Sequence, residues 1–86
     1  MNNVMNNKKV VVKWHDARLY PNMHKLDEAL ARKMDIFDSM GYLISKDKVT
    51  TKIAHEVTDS REYRDILLIP SGSVISIHEL TVAKKL

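Results

Sequence analysis

Four histidines, His15, His24, His55 and His78, and eleven acidic side chains are the groups of this 86-residue chain that could carry acid–base or metal chemistry. Two metal ligands on one helix face need a spacing such as His-x-x-x-His, and no histidine here has such a partner. A metal-assisted hydrolase would have to assemble His55, His78 and Asp16 through folding alone. No cysteine is present, which excludes disulfides, zinc–thiolate sites and thiol nucleophiles.

The densest local cluster is Trp14-His15-Asp16, where a carboxylate beside an imidazole could set its tautomer. Neighbours on a strand point to opposite faces, however, so His15 and Asp16 meet only if the strand ends in a turn. Trp14 reads more simply as a core anchor. Ser71-Gly72-Ser73 follows Pro70 and reads as a turn rather than as a nucleophile with its base and oxyanion donors. The two glycines, Gly41 and Gly72, are too far apart for a phosphate loop, and Gly41 within a strand marks a bulge or barrel corner. The spacing therefore predicts no catalytic or metal-binding residue and no cofactor.

Recognition is better represented. Trp14, Asp16, Arg18, Tyr20 and His24 cluster after the first strand, and Tyr63 and Arg64 add a second aromatic–cationic pair. Tyrosine and arginine faces stack on partners and are enriched at interaction hot spots. These seven residues are the candidate binding set.

The elements that must position them follow from periodicity. Lys9 to His15 is rich in β-branched and aromatic residues, with Val10, Val12 and Trp14 on one face. After Pro21 the period changes: Met23, Leu26, Leu30 and Met34 recur at three- and four-residue steps, predicting a helix over Asn22–Lys33 capped by Asn22, with Glu28 and Arg32 paired on its outer side. That stripe is expected to pack as a lid on the sheet, with a partner-binding face as the alternative. Period two then returns in Ile36–Ser45, Val49–Thr58, Tyr63–Ile69 and Val74–Leu80. The second of these would face Val49, Thr51, Ile53, His55 and Val57 one way. Five strands, a long first connection, short hairpins and a one-turn break before the last strand make the plan of a mainly β, SH3-like barrel with one inserted helix. The alternative is an open α+β sheet with the helix across one face.

The chain can hold one core. Residues 1–8 are expected to be a disordered leader, 9–81 the barrel, and 82–86 a basic tail. The net charge is +3, yet between Val10 and Ala83 there are 10 basic residues against 11 acidic ones. The excess belongs to Lys8, Lys9, Lys84 and Lys85 at the ends. Together with Arg18, Arg61 and Arg64 these would serve a nucleic-acid-binding barrel, the alternative to a protein- or ligand-binding module. No apolar run is long enough to cross a bilayer, and the polar start lacks signal-peptide character. The expected setting is cytoplasmic, without a membrane partner; a second copy of the chain is a further candidate partner.

Three segments add a resemblance: Val12-Lys13-Trp14-His15-Asp16-Ala17; Met40-Gly41-Tyr42-Leu43-Ile44; and Ile53-Ala54-His55-Glu56-Val57-Thr58-Asp59 leading to Ile66-Leu67-Leu68-Ile69-Pro70-Ser71-Gly72-Ser73-Val74-Ile75-Ser76-Ile77. As a set they resemble a family of small phage- and prophage-encoded SH3-like barrel proteins, over most of residues 10–80. The resemblance implies the fold and a bacterial host, with a host protein or small ligand as partner, and no catalytic residues. The helical segment between Tyr20 and Asp35 departs from that pattern.

Overall fold

The computed structural model describes residues 7–86. Five strands, β1 (Lys9–Asp16), β2 (Asp35–Lys46), β3 (Thr50–Val57), β4 (Tyr63–Pro70) and β5 (Val74–Glu79), form one antiparallel sheet in the order β4-β3-β2-β1-β5. A 3₁₀ turn at Ser71–Ser73 separates β4 from β5, and one helix, α1 (Leu26–Ala31), lies between β1 and β2. The mainly β chain of five strands, with one helix in the first connection and a one-turn break before the last strand, is as expected. No ladder joins β4 to β5 among the described residues, so the sheet is curled but open.

Curling is visible in the core. Val10, Val12, Ile53 and Ile69 are buried together, and Trp14, Leu43, Leu67, Val74 and Ile77 pack against them. These side chains come from all five strands, including both edges, so one concave face has folded onto itself. Burial of apolar surface at about 25 cal/mol per Å² drives that closure.

β2 is the strand that makes the curl possible. Its first part, Asp35 to Tyr42, pairs along β1, and its last part, Tyr42 to Lys46, pairs with β3. The exchange falls at Gly41-Tyr42. A Cβ on Gly41 would lie 2.6 Å from the Ala54 carbonyl oxygen and 3.3 Å from Ile53 Cβ. Glycine is therefore required for close approach, not for a left-handed backbone, and Gly41 marks the corner. The irregularities of pairing lie elsewhere, between Leu43 and Ser45 and between Lys13 and Trp14.

The β2–β3 turn and the 3₁₀ turn are tied together by hydroxyls. Ser71 Oγ donates to the Asp47 carbonyl at 2.6 Å and lies 3.1 Å from the hydroxyl of buried Thr51. The Ser71 amide donates to the Val49 carbonyl at 2.9 Å. The Ser-Gly-Ser segment is thus turn structure, as its composition indicated. Asp47 completes the hairpin by accepting the amides of Val49 and Thr50, each at 2.8 Å. Of the residues expected to share one face, Thr51 and Ile53 are buried, whereas Val49, just before β3, and His55 are exposed.

Two boundary expectations change. The predicted helix Asn22–Lys33 is reduced to six residues, and Asn22 does not cap it: its φ of 73° is left-handed, a state asparagine tolerates. The helix stops because Arg32 is already extended at φ −69°, ψ 142°. At the N-terminus, residues 1–6 of the expected leader lie outside the described residues. Asn7 and Lys8 belong to the fold: Asn7 Nδ2 donates to the Leu43 carbonyl, Tyr63 hydroxyl donates to Asn7 Oδ1, and the Leu43 amide donates to the Lys8 carbonyl.

Two outcomes test this architecture. Gly41→Ala forces strand backbones apart at the corner and is expected to cost about 1–3 kcal/mol or more in urea unfolding; a loss within error would contradict the corner. The two amide bonds to Asp47, that to Thr50 first, hold its carboxyl below the usual carboxylate range. Because the native value is depressed, the stabilisation is present above the unfolded-state value and disappears as pH falls through the native one. The melting-temperature gap between wild type and Asp47→Ala should accordingly be open near neutral pH and close in strong acid.

Candidate binding site in the first connection

Asp16 stands opposite Asp35 at the last rung of the β1–β2 ladder. Like charges directly opposite one another destabilise a ladder. Arg18 answers this by placing Nη1 at 3.1 and 3.4 Å from the two oxygens of Asp35. The pair is half-exposed, so its contribution is of the order of 1 kcal/mol or below. Its stronger effect is geometric, since it closes the mouth of the 18-residue connection.

Tyr20 organises what lies beyond. The Arg18 guanidinium sits 4.7 Å from the centre of its ring and the Arg32 guanidinium 5.0 Å. The Tyr20 hydroxyl donates to the Lys33 carbonyl at 2.8 Å. One phenol therefore gathers both ends of the connection by cation–π and hydrogen-bond contacts. His24 joins the same group: Nε2 is 2.9 Å from the Pro21 carbonyl, which can only accept, so Nε2 carries the proton. Nδ1 is then free to accept from Arg32 Nη2 at 3.4 Å. Arg32 is engaged by Tyr20 and His24 rather than by the expected Glu28; the Glu28 carboxylate instead takes the Lys25 amide.

Trp14 supports this end of the sheet from the concave face. Its Nε1 donates to Ser39 Oγ at 3.0 Å, and its ring lies 5.6 Å from that of Phe37 at 32°. His15 and Asp16 do not bond to one another: His15 Nδ1 is buried without a hydrogen-bond partner, in keeping with the opposite faces of adjacent strand residues.

The structure therefore brings Trp14, Asp16, Arg18, Tyr20 and His24 to one end of the molecule. Tyr63 and Arg64 are not in that group. Tyr63 bonds to Asn7, and Arg64 makes a cross-strand ion pair with Glu56 at 3.2 Å. Asp35, Arg32 and Phe37 are additional members. Arg32 was hidden by a plausible local pairing, and Asp35 is linked to Arg18 only by folding.

The apolar stripe did not dock. Met23, Leu26, Leu30 and Met34 are 98, 75, 77 and 56% exposed, and α1 has no buried residue. The expected lid is thus overturned. From Asp35 the ladder runs seven residues, about 24 Å, before β3 joins. The six-residue helix stays at the far end of that ribbon, with no residue buried.

The alternative sites lose support from the same placement. Lys8 pairs with Glu79 at 3.6 Å, Arg18 with Asp35, and Arg64 with Glu56, so three of the seven cations offered to nucleic acid already face carboxylates. Among the described residues no three His, Asp or Glu side chains converge as metal ligands, and His55, His78 and Asp16 remain apart. No helix of the described residues is long and apolar enough to cross a membrane. The chain matches no family model, no curated protein sequence and no solved structure.

Tyr20→Leu removes the hub without touching the core. Trypsin should then cut the connection at Arg18, Lys25, Arg32 or Lys33 several-fold faster, while global stability changes by less than about 1 kcal/mol. Unchanged cleavage would show that Tyr20 does not order the connection.

Proposed function

We propose that this protein is a non-enzymatic binding module whose recognition element is the first connection, residues 17–34. The observation that supports this reading is the exposure of Met23, Leu26, Leu30 and Met34 on a connection tied at its base by Arg18–Asp35 and gathered by Tyr20. Leaving four large apolar side chains in water forgoes roughly 1.5–3 kcal/mol each. A partner that covers them recovers that free energy, and the tied base limits the entropy lost on binding. The phage-like setting implied by the segment resemblance makes a bacterial cytoplasmic protein the partner to seek.

The test is affinity capture from bacterial lysate with native mass spectrometry, run in parallel on wild type and Leu26→Glu/Leu30→Glu. Both side chains already face solvent, so the double variant is expected to fold with an unchanged melting temperature. A protein retained by wild type and lost by the variant supports the reading. Absence of any retained protein, or retention indifferent to the variant, overturns it.

A further inference from the structure

A second feature lies on the other half of the molecule, at the β2 corner. Lys9, Met40, Gly41, Tyr42, His55 and Leu80 line a hollow of about 280 Å³. It lies beside the Tyr42–Ala54 rung, where the β2–β3 ladder begins. Lys9 and Tyr42 are register partners on β1 and β2, and the Lys9 ammonium sits 5.8 Å from the centre of the Tyr42 ring. Leu80 is held beside them by its amide, which donates to the Lys9 carbonyl at 2.7 Å.

The charge around this hollow is one-sided. The two carboxylates next in sequence to its lining residues are both engaged elsewhere: Glu79 by Lys8 at 3.6 Å, and Glu56 by Arg64 at 3.2 Å. Among the described residues Lys9 has no carboxylate partner. An ammonium, a phenol and an imidazole thus line the same hollow, while Met40, Leu80 and the Tyr42 ring supply its apolar part. Few placed polar groups against an apolar lining is the composition of a small-ligand pocket.

We infer that this corner pocket binds a small organic anion with a flat apolar body, its charged group toward Lys9 and His55 and its body against Tyr42, Met40 and Leu80. Ammonium donors to a carboxylate or phosphate make the stronger class of hydrogen bond. The site is separate from the first connection, so its occupancy does not depend on the partner proposed above.

Amide NMR titration of the full chain tests this with three probes of similar shape: benzoate, phenyl phosphate and neutral benzamide. Saturable shifts centred on Lys9, Tyr42, His55 and Leu80 are expected for at least one anion, and the preferred anion separates a carboxylate from a phosphate ligand. Benzamide should bind about tenfold more weakly, and Lys9→Gln should cost the anion about tenfold. His55→Gln, on a different strand, provides an independent loss should Lys9→Gln disturb β1. No saturable shift with either anion, equal binding of benzamide, or anion binding unaffected in both variants overturns the assignment.

Discussion

Everything in this molecule hangs on the contact between Gly41 and the carbonyl of Ala54, 2.6 Å from where a Cβ would be. Because the two backbones can approach there, β2 can leave one partner and take another within a single residue. That exchange bends one five-stranded sheet until Ile69 of one edge strand and Val74 and Ile77 of the other pack around Val10, Val12 and Ile53. Ala54 answers on the opposite surface, where it is fully buried in register between Tyr42 and Ile66. A larger residue at either position would open the curl.

The same exchange divides the domain into two halves with different economies. Around the β2–β3 hairpin, polar groups are satisfied within the fold: Asp47 takes two amides, and Ser71 links Thr51 to the Asp47 carbonyl. Along the β1–β2 ribbon beyond Tyr42, β3 is absent and support comes from β5 alone, through Val74. Cross-strand pairs such as Lys13–Asp38 at 2.9 Å hold that ribbon, and the connection extends from its end. The connection carries apolar side chains and is nevertheless uncovered.

Order without burial is the consequence. Arg18, Tyr20, Arg32 and His24 form a network of exposed cation–π and hydrogen-bond contacts that shape the connection while adding little to global stability. An element arranged in this way can be altered without unfolding the sheet, which suits a surface that recognises rather than supports.

The amino-acid sequence by itself determined the five strands and their turns. Period-two alternation, β-branched density, Pro70 and Gly72 are local signals, and pairing between successive strands needs only short turns. The corner at Gly41 and the turn role of Ser71 were legible for the same reason. What only the tertiary structure decided was distance and partnership. A three-to-four spacing gives a helix an apolar face whether or not anything lies within reach of it, so the stripe from Met23 to Met34 could not announce that it stays in solvent. Nor could spacing reveal that Arg32 leaves Glu28 for Tyr20, that Asp35 neutralises Arg18, or that Tyr63 and Arg64 stand apart from Trp14. Those depend on where the β1–β2 ladder outruns β3, and that is set by a single close approach between residues thirteen positions apart.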